Sequence, residues 1–446
     1  MIKYFRRIWR RKHLIFSRAV IALIVVLIDP LGIGASKTSL IDNNVAWLAG
    51  NVSPVKPSEK VAVVLIGDDD LGSDHFKMDW PFTYSKTASM VHALACAGVA
   101  GIFFDFTASS RFNLAAGQDE LQKITLDSTQ GPLCDDDSQA AKIPVFFGKI
   151  PELTTPLSDI LDKNGRLLQI SNGPNDWVYP AGLAEFPDEP ARAQDTPPAF
   201  AIMRAACVGE TKMAEICDKQ KVSMMSGDPL RLVWSSQVST AQASVSQDVD
   251  GTATCRSKLS YFKTLSLLMH FTDAGRYQPC FPVLTLRAQD LFRGASFIEK
   301  FGNPVAVLKN RFVFVGSALH GLNDTVASPV HGPLPGVYKH AVALDNLISF
   351  PLPYPTEPPG YVTWLLSALI IGSMEIARDL IRPSHRRGLL QIVVLISLMI
   401  ITTIIIEINA WPISLLFLFG YYLGSERIVA FASSIKTHQP HAGASV

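Results

Sequence analysis

Apolar residues follow two patterns along this chain. At the ends they form long stretches, at 14–31, 360–377, 388–406 and 411–423. The stretch 388–406 has no charged residue. That is close to the ~20 residues a helix needs to cross a bilayer core. Between the ends, the apolar runs are short. Those at 61–66, 99–106, 143–147 and 311–315 read as strands buried on both faces, and 230–235 reads as a further strand. Met90, Val91, Leu94 and Ala97 recur at helical spacing within 85–98, and Gly98 supplies the stop. Residues 118–126, 198–207, 283–290 and 337–348 also read as helices. Strand, helix, strand with apolar strands predicts an α/β domain with a largely parallel sheet. The polar segment 236–258 reads as an exposed insert.

Charge orients the long stretches. Lys3, Arg6, Arg7, Arg10, Arg11 and Lys12 precede the first. Arg378, Arg382, Arg386 and Arg387 lie between the second and third, whereas 407–410 has no basic residue. Basic flanks favour the cytoplasmic side. The expectation is four spans, both termini cytoplasmic and the long loop translocated. The expected domains are 1–35 (basic N-terminus and first span), 36–355 (extracytoplasmic domain), 356–434 (three helical spans) and 435–446 (tail). A cleavable signal peptide, with 19–28 as its apolar region, is the competing reading of the N-terminus and leaves the loop assignment unchanged. Arg18 and Glu426 fall at similar depths in the first and last spans, so they are expected to pair or to snorkel to the interface. The few residues after 423 do not suffice for an output domain, so a separate cytoplasmic effector is expected. The formal net charge is +1 and no basic stripe occurs outside the membrane flanks, which argues against a nucleic-acid partner.

All six cysteines, Cys96, Cys134, Cys207, Cys217, Cys255 and Cys280, lie in the translocated region. An oxidising compartment makes them disulfide candidates. Local pairing gives Cys207 with Cys217 and Cys255 with Cys280, leaving Cys96 and Cys134 paired or as thiols. No Cys-x-x-Cys pair points to zinc or redox chemistry.

Two blocks carry a family resemblance: VAVVLIGDDDLG…WPFTYSKTASMVHALACAGVAGIFFDF at 61–106, and LKNRFVFVGSALHGLNDTVASPVHGPLPGVYKHAVALDNLIS at 308–349. Together they resemble the opening and closing blocks of the CHASE2 domain, an extracytoplasmic sensory domain of bacterial transmembrane receptors. The order of one span, the domain and three spans matches too. Gly316, Asp324, Pro329, Pro335-Gly336, His340-Ala341 and Leu344–Leu347 carry most of the likeness. The chain departs from the family at 84–86, where an arginine is usual, and at 107–110. Family members typically continue into an enzyme domain, and none is expected from the residues after 423. The resemblance implies a sensory role.

Parallel sheets bind ligands beyond the carboxyl ends of their strands. Asp68, Asp69 and Asp70 follow the first strand, Asp105 ends the second, and Asn323 and Asp324 lie beyond Gly316-Ser317. With His340 at the start of the closing helix, Asp68, Asp105, Asn323 and Asp324 form the candidate ligand site, suited to a cation or a polar solute. The structural alternatives are solvated turns or caps for the acids, a loop anchor for Asp324 and a satisfied core histidine for His340. His331, in a Pro/Gly loop, is expected to be exposed. No catalytic motif, metal set or cofactor signature is present. The expected role is a membrane sensor or sensor subunit, monomeric or homo-oligomeric, that reads an extracytoplasmic ligand or protein. The alternative is a non-enzymatic envelope assembly or scaffold protein.

Overall fold

Short, fully apolar segments build the central sheet. A computed structural model describes residues 46–47, 49–51, 56–72, 80, 82–106, 118–126, 143–149, 156–164, 166–170, 178–180, 197–208, 230–237, 239–242, 280–292, 303–322 and 324–350. Strands β1 (Val61–Ile66), β2 (Gly101–Phe104), β3 (Val145–Lys149) and β4 (Leu167–Gln169) are followed by two short strands, β5 (Val178–Tyr179) and β6 (Leu230–Arg231). Then come β7 (Leu284–Arg287), β8 (Phe312–Ser317), β9 (Thr325–Ser328) and β10 (Gly332–Pro335). Six of these pair in the order β4-β3-β2-β8-β1-β7, and every pairing is parallel. Two antiparallel pairs, β9 with β10 and β5 with β6, stand apart.

Helices α1 (Tyr84–Cys96), α2 (Gln118–Leu126), α3 (Pro156–Lys163), α4 (Pro198–Val208) and α5 (Val337–Ser349) cover the sheet. Thr83 caps α1, its hydroxyl accepting from Lys86 N at 3.3 Å. Gly98 follows at φ +69°, a left-handed conformation that ends the helix where glycine is cheapest. Alternation along the strands separates two faces. Ala62, Val64, Ile66, Ile102, Phe104, Val313 and Val315 pack with Met90, Val91 and Leu94 of α1, Leu121 of α2 and Leu157 and Leu161 of α3. Phe103 and Phe314 turn to the other face, their rings 5.8 Å apart, and Phe103 meets His340 of α5 at 5.5 Å. The result is a layer of helices on each face of a parallel sheet, an α/β architecture.

Several expectations need correction. Residues 283–290 form β7 and then a 3-10 segment, Ala288–Phe292, rather than a helix. A short apolar run fits either period, and here Leu284 and Leu286 pair with β1 at the sheet edge. The segment from 236 is not uniformly exposed, since Ser236, Ser239 and Gln242 are buried. Gln242 donates to Thr285 O at 3.0 Å and accepts from Thr285 N at 2.7 Å, so its amide covers the edge strand as a neighbouring backbone would. Ser239 and Thr240 donate to Glu59, which Arg311 also grips through both terminal nitrogens at 3.1 Å. Cys280 is a buried thiol that is not in a disulfide, so it does not pair with Cys255. Cys96 and Cys207 are disulfide-bonded. The expected pairings through Cys134, Cys217 and Cys255 lie outside the described residues. His331 is buried rather than exposed, its Nε2 2.9 Å from Ser235 O.

The chain divides into two compact units, Ala46–Tyr354 and Met1–Val45 with Pro355–Val446. The expected spans and the Arg18–Glu426 pair lie outside the described residues. Among the described residues, no helix is long and apolar enough to cross a membrane.

Candidate functional site

Strand β8 enters the sheet between β1 and β2, so all three deliver their carboxyl ends to one rim. Asp105 directly follows β2, and its N–H donates to Val315 O at 2.8 Å, which extends the ladder by one residue. By alternation Asp105 shares a face with Phe103 and points toward α5. His340 of α5 reaches back, placing its Nε2 3.7 Å from Asp105 Oδ1, and both side chains are only 4% exposed.

The far side of the imidazole is fixed. His340 Nδ1 lies 2.8 Å from the Tyr179 hydroxyl, and that oxygen accepts from Ala199 N at 3.1 Å. Ala199 is in the first turn of α4, where backbone N–H groups have no intrahelical partner. With its oxygen accepting there, Tyr179 directs its own proton onto His340 Nδ1. The neutral ring then carries its proton on Nε2, facing Asp105. Burial, and next the charge of Lys339, hold His340 down to about 3, so the ring is uncharged at neutral pH. Burial, and next the charge of Asp324, push Asp105 well above the ordinary carboxyl range. The Asp105–His340 contact is therefore no ion pair. It is a carboxyl facing a neutral N–H just beyond hydrogen-bond reach.

Asp324 comes from the opposite side, immediately before β9. Its carbonyl accepts from Gly336 N at 3.0 Å. A Cβ added at Gly336 would lie 2.2 Å from Asp324 Oδ1, so the carboxyl rests against the Cα that opens α5, a contact only glycine permits. Asp324 retains solvent contact, yet its partial enclosure still raises its carboxyl. The helix N-terminus favours the negative charge there.

The other predicted acids have separate partners. Asp68 accepts from the ring and the N–H of His320, and the ring contact, the larger effect, lowers its carboxyl. Asp69 pairs with Arg287 at 3.2 Å. Asp70 is buried and accepts from Gly67 N at 2.6 Å and Gln289 N at 2.9 Å, bracing the end of β1 against the end of β7. Asn323 lies outside the described residues. The structure thus groups Asp105, Asp324 and His340, and adds Tyr179, which sequence reasoning missed. Tyr179 sits in a Pro- and Gly-rich stretch without periodicity, so no pattern marked it.

The closing block also contains brackets whose role is structural. Asp345 Oδ1 accepts from Ser58 N and Oγ, each at 2.7 Å. Asn346 accepts from Val233 N at 2.7 Å and donates to Val233 O at 3.0 Å. These two adjacent side chains pin α5 to the chain before β1 and to the segment after β6.

The CHASE2 domain family model matches residues 19–374. The chain belongs to the CHASE2 family. CHASE2 domains are sensory domains of signalling proteins and are generally extracytoplasmic. No curated protein and no solved structure matches the chain. In this CHASE2 domain, Gly336, His340, Asp345 and Asn346 of the closing block shape the rim site or hold α5 in place.

Proposed function

We propose that this CHASE2 protein is a bacterial inner-membrane sensor, or the sensor subunit of a larger receptor. Its extracytoplasmic domain detects a stimulus at the Asp105–Asp324–His340 rim and passes it through the membrane segments to a separate cytoplasmic effector. The observation that supports this most is the position of α5. The helix begins at the site, where Gly336 lies under Asp324, and it ends at Ser349. Pro351, Pro353, Pro355, Pro358 and Pro359 then lead in sequence to the first C-terminal apolar stretch. A proline-dense linker is stiff and transmits displacement. The disulfide-bonded Cys96 and Cys207 suit an oxidising compartment.

The reading is tested in cells. Asp105→Asn, at unchanged protein level, is expected to reproduce the transcriptional profile of a deletion strain. Wild-type behaviour of that variant would remove the rim as the sensing site.

A further inference from the structure

Two carboxyls face the rim, Asp105 against His340 and Asp324 against Gly336 one turn earlier at the start of α5, and neither accepts a hydrogen bond from any described residue. Asp105 is almost fully buried, its nearest polar neighbour a neutral imidazole nitrogen at 3.7 Å. Asp324 feels no described cation, and among the described residues the one side-chain charge that acts on Asp105 is that of Asp324 itself. His340, from a different element, turns its Nε2 to the same spot, and in the tautomer that Tyr179 favours this nitrogen is a donor with no acceptor within hydrogen-bond distance among the described residues. A buried acceptor without a donor is costly, and a buried donor without an acceptor is costly too. Folded domains seldom leave both unmatched in one place.

The missing partner has definite chemistry. Two acidic acceptors call for positive charge and for several donors at once. An anion would be repelled by both acids. A hard metal ion takes six or more oxygen ligands, whereas the described rim presents two carboxyls and one imidazole. Lys339 is buried on the same helix and acts on His340, but neither carboxyl is lowered by it. We propose that the rim binds a small organic cation through a protonated amine or guanidinium held between Asp105 and Asp324. The inference rests on the sensor reading of this site and names its ligand class. The cation's N–H groups donate to the two carboxyls. His340 Nε2–H, fixed by Tyr179 and Ala199, turns to the outer lone pairs of Asp105 and holds that carboxyl ionised. Asp324 is drawn inward, and Gly336 at the start of α5 is drawn with it.

The test is calorimetric, on the full chain in detergent at pH 7.5. The probes are 1,4-diaminobutane and methylguanidine, with succinate, glucose and Mg²⁺ as comparators. At least one amine probe should bind, at least tenfold more weakly in Asp105→Asn and in Asp324→Asn, and with unchanged affinity in Asp69→Asn. Thermal melts of the empty variants check folding. Asp105→Asn should melt no lower than the parent, since it removes a buried carboxyl that lacks donors. Failure of both amine probes to bind overturns the proposal, as does amine binding insensitive to both rim variants. Mg²⁺ binding with the same sensitivity to the variants overturns it in favour of an inorganic cation. Proton uptake by the pair without amine binding overturns it in favour of a shared proton. If the amines fail while Asp105→Asn still reproduces the deletion profile, the ligand class falls and the sensor reading stands.

Discussion

Asp345 is buried and pushed up to about 6, chiefly by burial and against the two Ser58 bonds that favour its charge. Its folded value exceeds its unfolded one, so between about pH 4 and pH 6 the folded state holds the extra proton. Stability therefore falls as pH rises through this window, by on the order of 1–3 kcal/mol from this residue. Asp345→Asn keeps an oxygen for both Ser58 donors and cannot ionise. Thermal melts from pH 4 to 8 should show a flatter profile for the variant and a higher Tm than the parent at pH 8. Tyr179→Phe tests the tautomer relay. It strands Ala199 N and His340 Nδ1 in the core, so denaturant melts should lose about 1–3 kcal/mol. Asp105 and Asp324 were legible in the sequence because acids after apolar runs mark strand ends, and His340 because it falls in the first turn of the closing helix. Tyr179 and Ser58 were not, since their partners are 161 and 287 residues away and no local pattern encodes such distances.

Helix α5 and strand β8 show how tightly elements are matched. A Cβ at Gly316 would lie 2.4 Å from Val337 Cβ, so the first turn of α5 rests directly on β8. Gly316→Ala should push α5 off the sheet and cost about 1–3 kcal/mol, as overpacking does. Val337→Ala placed beside it should restore part of the loss, and a double-mutant cycle on thermal stability reads the coupling. Unbroken apolar runs made β1, β2, β3 and β8 readable, and caps and periodicity did the same for α1 and α5. Strand β7 was misread because four residues cannot display a period. The buried hydrogen bonds of Gln242 were hidden because a polar side chain standing in for a backbone leaves no hydrophobic trace.

At the scale of the whole chain, the proposed topology rests on the basic flanks at 3–12 and 378–387. Alkaline phosphatase fused near Thr240 is expected to be active and a fusion after Thr437 inactive, as four spans require. Activity at the second site would overturn that arrangement. The strand order has a further consequence, for the order in which the sheet can assemble. Strand β8 occupies the middle of the sheet yet is among its last parts to be synthesised. Until residue 317 has been made, β1 and β2 each lack the neighbour that separates them, and both present unpaired edges prone to association. Distant pairings of this kind also fold slowly. The domain therefore stays incomplete until nearly all of it has been made, and a chaperone that shields strand edges is expected to bind it during that interval.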